Sequence, residues 1–247
     1  MTEQDLQLSM PGGTVDAVLF TPDSTASLPG VLHLPDIGSI RESHRDMARR
    51  LAAEGYIVLL PNIFYRTGRP PVFDFPRKMG EERTVKRMAE ITTPLTIEAQ
   101  QQDLAAYIDH LLAQPGVRTG PVGTVGYCFG GALSLRAAAE RPQQVAATVS
   151  FHGGGLYKKD NLDSPHLVLP QVAARLYFGH AVQDNSMPAE AIEQLDHALA
   201  AWDGPYESEV YAGAHHGWTV PDNPAFNPLQ AERAFTKLTE LLAATLF

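Results

Sequence analysis

Cys128 is the only cysteine in this chain of 247 residues, and it lies at the centre of Gly126-Tyr127-Cys128-Phe129-Gly130. The apolar run 122–127 has the length of a buried strand, and residues 132–140 have the composition of a helix. Glycines on both sides of the central residue permit a sharp turn in which a Cβ would collide with neighbouring chain. A free cysteine is often only a buried apolar group, but this spacing favours a nucleophile. The helix that starts here would favour its thiolate form.

A histidine that could act as the base follows the last predicted strand, 207–211, in Gly213-Ala214-His215-His216-Gly217-Trp218. Ligands of open parallel sheets bind beyond the carboxyl ends of the strands, so a histidine here can face the Cys128 turn. His215 competes with its neighbour for this role. Because Gly217 permits a tight turn that presents the preceding side chain, we predict that His216 is the base.

An acidic partner for this histidine is expected after the strand predicted at 173–178, where Asp184 precedes a helix over 188–201. As a partner it would accept a hydrogen bond from Nδ1 of His216 and fix the tautomer of the ring. The alternative role for Asp184 is an N-terminal cap of the following helix. Asp163 and Asp203 are weaker candidates, because both lie in loops away from the expected strand end.

Backbone N–H groups would have to stabilise the oxyanion of a tetrahedral intermediate. The N–H of Phe129, directly after Cys128, is one predicted donor. The other is predicted in the loop after strand 31–35, where Ile37 is the candidate.

Three further histidines and a glycine run suggest other kinds of site without supporting them. His33, His152 and His180 lie on or after separate strands and lack a metal-ligand spacing, so we interpret them as structural and predict no metal site. The run 153–155 lacks the spacing of a phosphate-binding loop. No cofactor is expected.

The remaining elements predict one α/β domain over residues 1–247. A hairpin (6–9 and 15–21) is followed by strands at 31–35, 56–60, 122–127, 145–151, 173–178 and 207–211, and by helices at 42–54, 97–112, 132–140, 188–201 and 229–242. Strands that alternate with helices of this length indicate a mostly parallel sheet with helices on both faces. The order nucleophile, acid, histidine along such a chain is that of the α/β-hydrolase fold.

The segment 62–96 interrupts this alternation with a stretch rich in proline and arginine, and only 81–91 could form a short helix. A loop of this length inside a compact domain is usually functional, so we expect a lid or a wall of the pocket. A solvated surface insertion is the alternative.

Composition excludes several classes of function. The net charge of −9 argues against nucleic-acid binding and, weakly, against an anionic membrane surface, and one cysteine excludes an intrachain disulfide. No apolar run is long enough for a membrane span, and the first residues do not resemble a secretory signal. We therefore expect a cytoplasmic protein, monomeric or a small homo-oligomer, that acts on a small molecule.

Together these motifs resemble the dienelactone hydrolase family. The matching segments are Pro35-Asp36-Ile37-Gly38, Gly126-Tyr127-Cys128-Phe129-Gly130-Gly131, the Asp184 loop ending in Met187-Pro188, and Gly213 to Trp218. The resemblance covers nearly the whole chain and implies a Cys-Asp-His triad that opens cyclic enol esters. It further implies that an acidic residue at the position of Asp36 modulates the thiol. The best-known members have glutamate there, one methylene longer.

The family also binds the substrate carboxylate with two arginines, one of them shortly after the catalytic histidine. This chain has Gly217-Trp218-Thr219-Val220-Pro221 there, which favours a different ester, lactone or thioester. The candidates for substrate binding are Arg83, Arg87 and Trp218.

These observations predict a cofactor-independent ester or lactone hydrolase that works through an acyl-enzyme on Cys128. Two alternatives stay open. The same site could transfer the acyl group to another acceptor or cleave a thioester, or the protein could be a catalytically silent binding or redox-sensing member of the fold.

Overall fold

The computed structural model describes residues 1–247 and contains one mixed sheet of eight strands. The strands are β1 (Thr2–Met10), β2 (Gly13–Thr21), β3 (Gly30–Leu34), β4 (Ile57–Pro61), β5 (Val122–Tyr127), β6 (Val145–Phe151), β7 (Arg175–Ala181) and β8 (Tyr206–Tyr211). Their order in the sheet is β1-β2-β4-β3-β5-β6-β7-β8. The β1–β2 hairpin at the edge is antiparallel, and β2 pairs with β4 in antiparallel register. The six strands β3 to β8 are parallel to one another.

Six α-helices cover both faces of the sheet. They are α1 (Glu42–Ala53), α2 (Glu82–Thr92), α3 (Ile97–Leu112), α4 (Phe129–Glu140), α5 (Ala189–Trp202) and α6 (Pro228–Leu246). Helices α1 and α6 share one hydrophobic core, and α2 to α5 share the other. Because successive strand residues point to opposite faces, Val31 packs in the first core and Leu32 in the second. None of the helices combines the length and apolar character that crossing a membrane requires.

The predicted fold class is confirmed: the sheet is mostly parallel, and helices flank both faces. Helix α4 begins at Phe129 rather than at residue 132, and α6 extends to Leu246, four residues beyond the predicted end. A 3₁₀ helix (Pro165–Gln171) lies between β6 and β7, where the sequence analysis predicts no helix.

The segment 62–96 packs against the sheet at its start and at its end. Asn62, Ile63 and Phe64 are buried, and α2 contributes Ile91 to the core. The ring of Phe64 lies 5.4 Å from that of Phe129, the residue after Cys128. The start of this segment therefore contacts the predicted nucleophile turn.

Candidate active site

The turn between β5 and α4 holds Cys128 in a backbone conformation that non-glycine residues rarely adopt, with φ 53° and ψ −113°. Its flanking glycines are required by the packing. A Cβ on Gly126 would lie 1.9 Å from the carbonyl oxygen of Gly130, and a Cβ on Gly130 would lie 2.2 Å from that of Leu34. The missing side chains let α4 pack directly on the end of β3. Cys128 is partly exposed at the carboxyl end of β5.

His216 and Asp184 are brought together from the loops after β8 and β7. Nδ1 of His216 donates a hydrogen bond to Oδ2 of Asp184, with 2.6 Å between the two atoms. The other carboxylate oxygen accepts hydrogen bonds from the backbone N–H and the hydroxyl of Ser186, at 2.8 and 2.6 Å. The carboxylate is thus fixed on both sides, and Nε2 of His216 is left for another partner.

The pKa values of this pair move in opposite directions. Burial would lower the pKa of His216, but its hydrogen bonds to Asp184 and to the sulfur of Cys128 raise it to about 10. Burial would raise the pKa of Asp184, but His216 and Ser186 lower it to about 2. Both shifts favour an imidazolium at His216 beside the carboxylate of Asp184.

The competing residues lie outside this arrangement. The side chain of His215 is exposed, and its ring makes no hydrogen bond within the protein. Asp163 is exposed in the loop after β6, and Asp203 is the left-handed residue that ends α5. Of the residues considered from the sequence, Asp184 and His216 are the carboxylate and the imidazole that meet.

Neither of the two predicted oxyanion donors, Phe129 and Ile37, uses its backbone N–H in a hydrogen bond of a helix or a sheet. Phe129 is the first residue of α4, so its N–H has no acceptor within the helix. The N–H of Ile37 makes no hydrogen bond to another protein group. The loop after β3 is held by the side chain of Ser39, which donates to Oδ1 of Asn62 at 2.9 Å. These contacts give the loop a fixed shape.

The carboxylate of Asp36 makes its hydrogen bonds to Gly38 and Arg41 and none to Cys128. Its carboxylate oxygens accept from Nη1 and Nη2 of Arg41 at 2.6 and 2.8 Å, and Oδ1 also accepts from the N–H of Gly38 at 2.7 Å. Arg41 in turn donates to Asp222 from Nε and Nη2. Burial opposes ionisation, but His44 and Arg41 hold the pKa of Asp36 well below its usual range. The sequence did not single out Arg41, whose partner is five residues earlier in the chain.

Of the three candidates for substrate binding, none makes a hydrogen bond or a ring contact with the Cys128–Asp184–His216 group. Arg83 and Arg87 line a surface cavity formed by residues 71–90, where Arg83 stacks on Phe75 and Arg87 donates to the carbonyl of Val72. Trp218 is fully buried and packs on Phe151, His152 and Tyr211. Its indole is part of the core beneath the site rather than of an open surface.

Two other arginines lie closer to the predicted oxyanion loop. A Cβ on Gly38 would lie 2.6 Å from Nη1 of Arg41 and 2.9 Å from Nη2 of Arg77. Arg41 is paired with two carboxylates, whereas Arg77 has no ion-pair partner in the protein. No sequence motif marks Arg77, because only the folded path of segment 62–96 brings it to Gly38.

His152 is a further site residue whose role the sequence did not predict. It directly follows β6, and Nδ1 accepts a hydrogen bond from the backbone N–H of Cys128 at 3.0 Å. The available signal was its position, since it follows a strand as Asp36, Cys128, Asp184 and His216 do.

Solved structures with the same fold include the dienelactone hydrolase of Anabaena variabilis, with 20% sequence identity, a TM-score of 0.72 and coverage of 100% of this chain and 99% of that one. A dienelactone hydrolase-like promiscuous phosphotriesterase from metagenomic libraries has 20% identity and a TM-score of 0.81, with 99% of this chain and 98% of that one covered. At this identity the two structures support the fold.

Sequence comparison goes further. A carboxymethylenebutenolidase of Rhodococcus opacus is 27% identical over 219 residues, which are 87% of this chain and 81% of the relative. The model of the dienelactone hydrolase family matches residues 15–246. These residues include the β5–α4 turn, both loops that carry Asp184 and His216, and every strand of the parallel sheet. The chain belongs to the dienelactone hydrolase family.

Proposed function

We propose that this enzyme hydrolyses a carboxylic ester or lactone of a small molecule, with Cys128 as nucleophile, His216 as acid and base, and Asp184 as the residue that orients His216. The observation that carries the proposal is the hydrogen bond of His216 to Asp184 at the carboxyl edge of the sheet, where Cys128 also lies and two backbone N–H groups lack partners. The influence of Cys128 on the raised pKa of His216 supports it. A hydrolase of this kind needs no cofactor for the chemistry.

In the first half of the reaction, the thiolate of Cys128 attacks the carbonyl carbon of the ester. The N–H groups of Ile37 and Phe129 hold the negative oxygen of the tetrahedral intermediate. The bond from the carbonyl carbon to the leaving oxygen then breaks, and the imidazolium of His216 gives its proton to that oxygen. An acyl-thioester on Cys128 remains.

In the second half, His216 accepts a proton from a water molecule as that water attacks the thioester carbonyl. Collapse of the second intermediate releases the carboxylic acid product and restores the thiolate beside the imidazolium. Asp184 stays ionised throughout, since the depressed pKa of its carboxyl keeps the charge that stabilises His216. A reduced catalytic thiol suits a reducing compartment such as the cytoplasm.

Two further parts of the site belong to the same proposal. Segment 62–96 forms a wall of the substrate pocket, supported by the contact of Phe64 with Phe129. Asp36 modulates the thiol through its charge, since its carboxylate belongs to the loop that carries Ile37. A monomer or a small homo-oligomer would serve this chemistry equally.

The test measures hydrolysis of p-nitrophenyl esters by Cys128→Ala, His216→Ala and Asp184→Asn, with His215→Ala as the matched control. We expect each of the first three changes to lower kcat by about 10³-fold or more and the control to retain activity. Mass spectrometry of the quenched reaction should find the acyl group on Cys128. Activity retained by both Cys128→Ala and His216→Ala would refute the proposal.

Product analysis separates the alternatives. Competing alcohols or thiols that take most of the acyl group would identify an acyltransferase, and faster turnover of thioesters than of the matched oxygen esters would identify a thioesterase. No turnover of any ester or lactone by the wild-type enzyme would instead indicate a silent member of the fold.

A further inference from the structure

His152 links the nucleophile to the loop that carries His216. The side chain is buried, with 1% of its surface exposed. Nδ1 accepts a hydrogen bond from the N–H of Cys128 at 3.0 Å, and Nε2 lies 2.8 Å from the hydroxyl oxygen of Thr219. Thr219 follows His216 by three residues, so a single imidazole spans the two halves of the site.

The two contacts define the tautomer of this ring. A backbone N–H can only donate, so Nδ1 of His152 is an unprotonated acceptor and the proton lies on Nε2, which donates to Thr219. Burial, reinforced by the charge of His216, lowers the pKa of His152 well below its usual value and keeps the ring neutral. His152 is therefore neither a second base nor a member of the charged triad, and its contacts are with the backbone of one loop and the hydroxyl of another.

The contact matters because the backbone of Cys128 is strained. Its positive φ persists only where the surroundings enforce it. The N–H of Cys128 is shared between the carbonyl of Phe151, at 3.1 Å, and Nδ1 of His152. On the other side, the carbonyl of Cys128 accepts from the N–H groups of Gly131 and Gly154. His152 supplies the side-chain contact in this set of constraints.

Ring packing places the same imidazole beside the base. The ring of His152 lies 5.2 Å from that of His216 and 5.0 Å from that of Trp218, both edge to face. Displacing the His152 ring would therefore disturb the nucleophile and the base together.

We propose that His152 is a positioning residue that sets the distance between the sulfur of Cys128 and His216 through its hydrogen bonds to Cys128 and Thr219. This inference rests on the proposed function of Cys128. It assigns to His152 a role in the attack step and none in binding the substrate.

The test compares two replacements of His152. His152→Asn keeps an acceptor, because Oδ1 of asparagine is as many bonds from Cα as Nδ1 of histidine is, whereas His152→Phe keeps the ring and loses both nitrogens. For ester hydrolysis we expect His152→Phe to lower kcat about a hundredfold with KM nearly unchanged, the effect of a misplacement of about 1 Å. His152→Asn keeps the acceptor for Cys128 but has no atom in place of Nε2 to donate to Thr219, so its kcat should fall only about tenfold.

Alkylation of the enzyme by iodoacetamide gives a readout independent of turnover, since Cys128 is the only thiol. The rate should fall in His152→Phe and recover in His152→Asn. A second pair acts at the other end of the link. Thr219→Val removes the acceptor for Nε2–H and should lower kcat about tenfold, while Thr219→Ser keeps the hydroxyl and most of the activity.

The outcomes separate the two proposals. Wild-type kcat and alkylation rates in a folded His152→Phe variant would overturn the role of His152 and leave the proposed function intact. Equal losses in His152→Phe and His152→Asn, in step with a lower melting temperature, would reduce His152 to a packing residue. If Cys128→Ala retained esterase activity, the proposed function itself would fail, whatever the His152 variants did.

Discussion

At the scale of single residues, the site separates the pKa values of its histidines. His216 is the histidine whose pKa is raised, because Asp184 accepts its hydrogen bond and Cys128 also favours its charged form. For His44 and His152, which accept N–H groups from the backbone of Asp36 and Cys128, burial lowers the pKa. Titratable groups pushed apart in this way identify the acid and base of a site. The raised pKa of His216 therefore favours a positive charge beside Cys128, the proposed nucleophile.

Asp36 provides the first prediction at this scale. If its charge modulates the thiol, Asp36→Asn removes a negative charge that disfavours the thiolate of Cys128. Alkylation by iodoacetamide at neutral pH should therefore become about threefold faster or more. The matched control is Asp222→Asn, which removes the other carboxylate of Arg41 and should leave the rate unchanged. Equal rates in wild type and Asp36→Asn would limit Asp36 to bracing the loop.

At the scale of elements, the sequence predicts what periodicity and glycine spacing determine. The bounds of α3, β5 and β6 agree with prediction, because each is a long or continuous apolar pattern with clear ends. The start of α4 was missed by three residues. Gly130 and Gly131 have low helix propensity, and tertiary packing on the end of β3 makes them helical.

Contacts formed by irregular segments could not be predicted either, because they too depend on tertiary packing. The pairing of Arg41 with Asp222 joins residues 181 positions apart. No local pattern encodes such a distance. His152 was visible as a residue at a strand end, but its bond to Cys128 depends on a backbone that bends at positive φ in both residues.

Segment 62–96 contains the arginine that we expect to bind an anionic group of the substrate. The sequence favoured Arg83 or Arg87 as a cation for an anionic substrate, whereas the fold places the unpaired guanidinium of Arg77 against Gly38. For an ester that carries a carboxylate, Arg77→Gln should raise KM about tenfold, the effect of losing one charge-assisted hydrogen bond. KM for the matched neutral ester should not change. Arg83→Gln is the control and should leave both values as they are; the reverse pattern would restore Arg83 as the substrate cation.

At the scale of the whole molecule, the parallel sheet gathers its polar groups at the carboxyl edge and buries several of them. His33, His44, His152 and His180 are each exposed by 1% or less. Nε2 of His33 pairs with Nδ1 of His44 at 2.9 Å, while both ring nitrogens of His180 lack a partner. Burial lowers the pKa of all four from the usual 6.5, and that of His180 to about 4. The fold thus holds four neutral imidazoles.

These shifts define how stability depends on pH. Below pH 6.5 the unfolded chain binds protons at these four histidines, whereas the folded protein does not. Each histidine therefore lowers the free energy of unfolding by up to about 1.4 kcal/mol for each unit by which the pH falls. His216 has the opposite sign. Because its pKa is raised to about 10, its contribution is complete below pH 6.5 and is lost as the pH rises through 10. The free energy of unfolding should therefore be greatest near neutral pH and fall on both sides.

His180 allows the acid side to be tested away from the active-site contacts. Its ring stacks on Phe178, and the charges of Asp184 and Asp196 only partly offset its burial. His180→Phe removes a titrating group that has no hydrogen bonds to lose, so the variant should be more stable than wild type by about 2 kcal/mol at pH 5, with a smaller difference at pH 7. Urea unfolding at a series of pH values measures this, with His215→Phe at an exposed position as the control. An acid slope for His180→Phe that is as steep as that of wild type would show that this histidine is already protonated in the folded protein.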